Sequence, residues 1–139
     1  HCIHIMIEEI IKQKMIRGTG ERNTDFMIVA SALSLSMPIQ RLIQQFDFTQ
    51  KNPKIIVLNT GETTGSIQDA IQLAFLNLIG FDVLFFIPSG YQCVERWYQS
   101  DIIAEHDLGN YQYHLTVPDF ETLTENNKQS WFNKFKRNN

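Results

Sequence analysis

The sequence predicts an α/β fold in the Rossmann or flavodoxin style, with a mostly parallel sheet and helices on both faces. Segments with helical spacing of apolar residues alternate along the chain with short, continuous apolar segments typical of buried parallel strands. The loops between them are short, which favours right-handed crossovers between neighbouring parallel strands. The clearest strand signals, at residues 54–59 and 81–88, flank a long helical segment.

The composition is that of one acidic domain. Of the 139 residues, 43% are hydrophobic, and 12 Lys and Arg stand against 15 Asp and Glu. The net charge of −3 and the pI near 5.8 argue against nucleic-acid binding, which requires a basic face. No apolar run reaches the ~18 residues of a membrane helix. Two isolated cysteines, Cys2 and Cys93, predict free thiols in a reducing compartment and therefore a cytoplasmic location.

We expect residues 1–139 to form a single α/β domain that is a fragment of a longer chain. The leading helix is expected at 1–18, the sheet core at 24–118, and a C-terminal helix and tail at 119–139. The fragment interpretation depends on the start of the sequence, because it opens at His1, within a helical pattern and without an initiator Met.

The first half of the chain is predicted to alternate helix, strand and helix. Apolar residues recur at helical spacing between residues 2 and 17, and Gly18 is the expected stop before a polar loop. Residues 26–31 form a continuous apolar run bounded by turn residues, which predicts a buried strand, although pattern alone does not separate it from a helix. Pro38 suits the first turn of a helix that runs to about Phe46.

The middle of the chain carries the strongest signals. Residues 54–59 are rich in β-branched side chains without alternation, which predicts a strand covered on both faces. Ser66 and Asp69 approximate a capping box at the start of a helix that Gly80 ends. Residues 81–88 predict the next buried strand.

The last third is predicted to hold a short helix, an edge strand and a final helix. Val94 and Trp97 indicate a short amphipathic helix after the second strand. Residues 111–117 alternate apolar and polar side chains, which is typical of a strand with one wet face. Apolar residues after Pro118 favour a last helix.

Three loops are candidates for a ligand site, because ligands of parallel sheets bind outside the carboxyl ends of the strands. The loop after residues 54–59 can offer hydroxyl groups and backbone N–H groups to a phosphate or carboxylate, although turn and cap chemistry also explains its composition and it is not a P-loop. The candidate residues of this first loop are Asn59, Thr60, Gly61, Thr63, Thr64, Gly65 and Ser66. The second loop follows the strand at residues 81–88 and offers Ser89, Gly90 and Tyr91. The third follows the strand predicted at residues 26–31 and offers Ser31 and Ser34.

Other reactive side chains give weaker signals. Cys93 lies near a helix N-terminus but has no identifiable base, which favours an inert buried thiol. His106 stands among Glu105 and Asp107 and would form an acid/base or metal cluster only if the fold brought them together; solvated turn residues are the simpler interpretation. No spacing indicates a catalytic triad or a metal motif, so the sequence specifies no reaction and no cofactor.

The run 52–59, followed by Leu76-Asn-Leu-Ile-Gly-Phe-Asp-Val and by Pro88-Ser-Gly-Tyr, resembles the YceG-like family of bacterial proteins, and the resemblance extends over residues 26–98. It implies a cytosolic protein encoded beside tellurite-resistance and TerD-type stress genes, described as a component of a biosynthetic module. It implies a longer chain and supplies no catalytic residues.

The leading functional hypothesis is that the strand-end loops bind a phosphorylated or nucleotide-like small molecule. One alternative is a non-catalytic interaction or dimerisation domain, whose partner is the missing part of its own chain or a second protomer. A glycosyltransferase-like half domain is a further alternative that rests on fold analogy alone. Neither nucleic acid nor a membrane is an expected partner.

Overall fold

A computed structural model describes residues 2–47, 49, 51–61 and 65–116 of the chain. Four α-helices, two β-strands and one short 3-10 helix make up this part. In chain order they are α1 (Cys2–Lys12), α2 (Arg22–Leu33), α3 (Met37–Gln45), β1 (Lys54–Leu58), α4 (Ile67–Ile79), β2 (Asp82–Phe86) and the 3-10 helix Val94–Trp97.

The strands β1 and β2 pair in parallel, and α4 connects them. Their register runs from Lys54 opposite Asp82 to Leu58 opposite Phe86. Mixed helices and a parallel strand pair make the described part α/β, as predicted, with a sheet of two strands. Both strands and the helix between them lie where their sequence patterns place them.

The predicted cap of α4 is confirmed in detail. The Ser66 hydroxyl accepts a hydrogen bond from the Asp69 backbone N–H at 3.1 Å. The Asp69 carboxylate in turn accepts from the Ser66 backbone N–H at 2.9 Å and from the Ser66 hydroxyl at 2.7 Å. Gly80 ends the helix with a φ of +121°, a conformation that glycine adopts without strain.

We expect Asp69→Ala to lower the free energy of unfolding by about 1 kcal/mol, because it removes the reciprocal half of the capping box and a carboxylate at a helix N-terminus. Urea denaturation followed by circular dichroism measures this loss. Gln68→Ala, an exposed change in the same turn, is the control and should leave the midpoint almost unchanged. An equal loss in both variants would contradict a role for the cap.

The strand predicted at residues 26–31 is wrong, because these residues belong to α2. Thr24, Ile28, Ser31 and Ala32 are the buried residues of this helix, and their spacing is helical. Phe26, in contrast, is 73% exposed. The apolar run therefore did not mark the buried face, and packing of α2 against α1 and α4 decides its conformation.

The first helix ends earlier than predicted, at Lys12 instead of before Gly18. Tertiary pairing explains the difference. Ile16 forms an isolated antiparallel bridge with Tyr98, and the Arg17 backbone N–H donates to the Trp97 carbonyl at 2.7 Å. These bonds require extended backbone at a point where the helical pattern continues.

The edge strand predicted at residues 111–117 is also wrong for its described residues. Residues 111–116 are exposed and form no strand. The backbone N–H of Gln112 donates to the Pro88 carbonyl at 2.8 Å, so this segment lies beside the turn that leaves β2 without extending the sheet. Val117 and the predicted C-terminal helix at 119–139 fall outside the described residues.

The core is centred on α4. Helices α1 and α2 and the 3-10 helix contact it. The most deeply buried large side chains are Phe75, Phe81, Ile10, Ile16, Ile28 and Ile71. None of the described helices is long and apolar enough to cross a membrane.

Within the described residues only one face of the strand pair is packed, whereas the sequence predicted cover on both faces. Residues alternate along each strand between half-buried and exposed, and Phe85 packs against the core. One end of the other face carries the exposed ion pair of Lys54 and Asp82. The rest of that face consists of Ile56, Leu58, Leu84 and Phe86, which are 65%, 38%, 51% and 44% exposed. We call these four residues the open sheet face.

Candidate functional site

The carboxyl ends of β1 and β2 lie side by side, because the strands are parallel. The Asn59 backbone N–H donates to the Phe86 carbonyl at 3.0 Å, which continues the ladder into the loops. The structure therefore brings Asn59, Thr60 and Gly61 together with the turn after β2. Thr63 and Thr64 lie outside the described residues.

The turn after β2 is narrow and built around Gly90. Its φ is +70°, and a Cβ at this position would collide with the ring of Tyr111. Ser89 is buried, whereas Tyr91 is exposed and lies 6.2 Å from Tyr113, ring centre to ring centre. Glycine is thus required here both for the backbone conformation and for the close aromatic contact.

The other end of the first loop is held against the 3-10 helix. The Trp97 indole N–H donates to the Gly65 carbonyl at 2.9 Å, and a Cβ on Gly65 would collide with the buried side chain of Val94. The Ser66 hydroxyl is used by the cap, and the Asp69 carboxylate occupies the N-terminus of α4. A negative charge therefore already lies where the sequence suggested a phosphate.

The third predicted loop does not follow a strand, because the residues before it are helical. Ser31 is a buried residue of α2, and Ser34 is its C-cap residue. The Ser34 hydroxyl donates to the Ala30 carbonyl at 2.8 Å. A position of these two serines at the rim of the sheet requires a preceding strand, and α2 stands in its place.

A groove of about 960 Å³ opens between α4, the turn after β2 and residues 102–107. Leu73, Ala74, Phe85 and Ile87 form much of its apolar wall, and Tyr91 and Tyr111 border it. The volume is at the upper end of the range typical of small-molecule sites. The groove adjoins the carboxyl end of β2, which is where an open parallel sheet places its ligands.

Glu95 is the most unusual polar residue of this groove. One carboxylate oxygen, Oε1, accepts from the Cys93 backbone N–H at 2.6 Å. The other, Oε2, is buried and has no hydrogen-bond partner among the described residues. A desolvated, unpaired carboxylate oxygen is unfavourable by about 1–3 kcal/mol or more, so it has a strong preference for a donor.

The charged side chains that line the groove are predominantly acidic. Its charged lining residues in the described part are Glu95, Glu105 and Asp107, joined by His106, with neither Lys nor Arg. Two guanidinium groups lie nearby with other partners: Arg17 donates from Nε to the Tyr98 carbonyl at 2.7 Å, and Arg96 lies over the Trp97 ring at 5.0 Å. The groove therefore favours a cationic or hydrogen-donating ligand and disfavours a phosphate.

Sequence reasoning found part of this site. It singled out Tyr91, Gly90 and the cluster at residues 105–107, which the structure places at one groove. It missed Glu95, because the importance of that side chain depends on burial and on an unpaired oxygen, which no local pattern shows. Within the described residues, no group of three or more His, Cys, Asp and Glu side chains is arranged to hold a metal ion.

Comparison with known proteins gives a family. The sequence model of the YceG domain matches residues 1–134. A Bacillus subtilis (strain 168) protein named "Uncharacterized protein YceG" is 32% identical over 97 residues, which is 68% of this chain and 18% of that protein. The chain thus spans only a small part of the relative's length, and no solved structure matches it significantly. On the family match and this identity, the chain belongs to the YceG domain family.

Proposed function

We propose that this chain is a small-molecule binding domain whose ligand lies in the groove beside the carboxyl end of β2. The unpaired oxygen of Glu95 carries this proposal, because among the described residues it is the one buried side-chain oxygen or nitrogen without a hydrogen-bond partner. Glu95 lines the groove and as a whole is partly exposed. The ligand then supplies the missing hydrogen bond.

The lining specifies the chemistry of the ligand. An amino or ammonium group pairs with Glu95, and a flat or apolar body packs against Tyr91, Tyr111 and the apolar wall. For nucleotide-like ligands, which the sequence suggested, the acidic lining favours one orientation in the groove. The exocyclic amino group of the base faces Glu95, and the phosphate projects out of the groove, away from Glu105 and Asp107.

The binding test is a thermal-shift screen of the chain against aromatic amines, nucleosides, nucleotides and sugar phosphates. We expect amines and nucleosides to raise the melting temperature. Glu95→Gln should weaken their binding about tenfold to a hundredfold, because a hydrogen bond to a charged acceptor is worth roughly 1.5–3 kcal/mol.

Glu8→Gln is the matched control, since Glu8 is an exposed carboxylate on α1 outside the groove. It should leave binding unchanged. Stabilisation by sugar phosphates alone, or equal binding by the Glu95→Gln variant and the unmodified chain, would contradict the proposal and favour an anion site elsewhere.

The wider context is proposed on separate grounds. A Rossmann-like sheet around β1 and β2 is supported by their parallel pairing through α4 and by their continuous apolar sequence. A cytoplasmic location is supported by Cys93, a free and buried thiol. Membership of a tellurite-linked biosynthetic module rests only on what the sequence resemblance implies.

An interaction domain is the second candidate function, and exposed apolar side chains on α1 and α2 favour it. Ile5, Phe26 and Leu33 are 56%, 73% and 67% exposed. Sedimentation equilibrium tests this candidate, because docking of a second copy through these helices gives a concentration-dependent mass that Phe26→Ser abolishes. The glycosyltransferase-like alternative gains no residue-level support in the described part.

A further inference from the structure

The open sheet face is an apolar surface on strands built to be covered. Its residues Ile56, Leu58, Leu84 and Phe86 are 38–65% exposed, whereas both strands are apolar on their two faces, as strands buried on both sides are. The opposite face packs against the core through Phe85. A second layer is missing from the described part on the open side.

We propose that residues 117–139 of this same chain cover the open sheet face. The sequence of this segment carries Trp131, Phe132 and Phe135, whose spacing puts them on one side of a helix. Among its seven charged residues, Lys134, Lys136 and Arg137 fall outside the arc that these three aromatic side chains would occupy. It therefore has one apolar side to bury.

The last described residues lie near the carboxyl end of β2, from which the following segment can reach the open sheet face. Residues 111–113 lie against the turn after β2, through the Tyr111 ring beside Gly90 and the Gln112 bond to Pro88. Thr116 is then at most about 10 Å of chain from Tyr113. Phe86 directly precedes this turn, so the segment departs beside one corner of the open sheet face.

The dimensions also agree. A strand of five residues, the length of β1 and of β2, is about 17 Å long, and neighbouring strands lie about 4.8 Å apart. A helix of about 11 residues is equally long and about 10 Å wide. The segment after Thr116 is long enough to supply such a helix and the connection to it.

Trp131 reports directly on this contact. We would record the fluorescence of the full chain and subtract that of its Trp131→Phe variant, which leaves the emission of Trp131 without disturbing Trp97. The proposal predicts blue-shifted emission and weak quenching by acrylamide. Ile56→Thr with Leu58→Thr, both on β1 and outside the ligand groove, should abolish the shift and restore quenching.

The control is Leu33→Thr, which changes an equally exposed leucine on α2 and should leave Trp131 unaltered. If Ile56→Thr with Leu58→Thr loses its circular dichroism signal, the contact is tested instead by substitutions in residues 117–139. Phe132→Ser with Phe135→Ser should then increase binding of an apolar dye to the open sheet face, and Asn133→Ser should not.

Two results would overturn the proposal. One is solvent-exposed Trp131 in the unmodified full chain. The other is a concentration-dependent dimer, seen by sedimentation, that Ile56→Thr with Leu58→Thr abolishes while Trp131 stays exposed, because a second copy would then be the occupant. Leu84 also lines the ligand groove, but neither result measures ligand binding at Glu95, so this test and the binding test can fail independently.

Discussion

Replacing Phe75 with alanine is expected to lower the free energy of unfolding by about 3–5 kcal/mol, the range for a fully buried aromatic side chain. Phe75 is 2% exposed and lies on α4, the helix that α1, α2 and the 3-10 helix contact. A cavity there removes packing from several elements at once. Native domains are stable by only about 5–15 kcal/mol, so the loss is a large fraction of the total.

Phe26→Ala is the matched control for this prediction, because Phe26 is 73% exposed on α2. Urea denaturation of both variants should show a much lower midpoint for Phe75→Ala and a nearly unchanged one for Phe26→Ala. The sequence alone predicts a large loss for Phe26→Ala as well, since it places Phe26 in a buried strand. Similar losses in both variants would contradict the observed packing of α2.

Tyr98 is expected to make the fold sensitive to high pH. Its phenol is buried, donates to the Ala70 carbonyl at 2.6 Å, and has its pKa raised by desolvation. The unfolded chain loses this proton near pH 10, and the folded chain only at higher pH. From about pH 10 upward the unfolded state therefore binds fewer protons than the folded state, and stability falls by up to about 1.4 kcal/mol per pH unit.

Below pH 10 the phenol is neutral in both states and contributes no pH dependence. Tyr98→Phe should lower stability at pH 7 by about 1 kcal/mol through the lost hydrogen bond, and should remove the part of the alkaline decline that Tyr98 causes. Tyr113→Phe, which changes a 57% exposed tyrosine, should leave that part unchanged. An alkaline decline that is identical in all three proteins would show that Tyr98 does not cause it.

The β1-α4-β2 unit was predictable because local and tertiary signals agree there. The cap formed by Ser66 and Asp69 depends on residues three positions apart, and Gly80 stops the helix through its own backbone preference. The strands are short, β-branched and aromatic. No distant contact is needed to interpret any of these features.

The errors occur where a distant contact decides the conformation. A short apolar run fits a strand and a helix equally well, and only packing against α1 and α4 makes residues 26–31 helical. Tyr98 pairs with Ile16 and ends the first helix early. The candidate site shows the same division, since the rim loops could be predicted from strand ends whereas Glu95 could not.

The open sheet face has a consequence for handling the protein. Residues 83–87 comprise β2 after Asp82 together with Ile87. They combine high β-propensity with no charge and no proline, which is the composition of segments that stack into cross-β aggregates. Asp82 and Pro88 bracket this run and act as gatekeepers, since a charge and a proline both interrupt such stacking. Substitutions intended to improve expression should therefore keep these two residues.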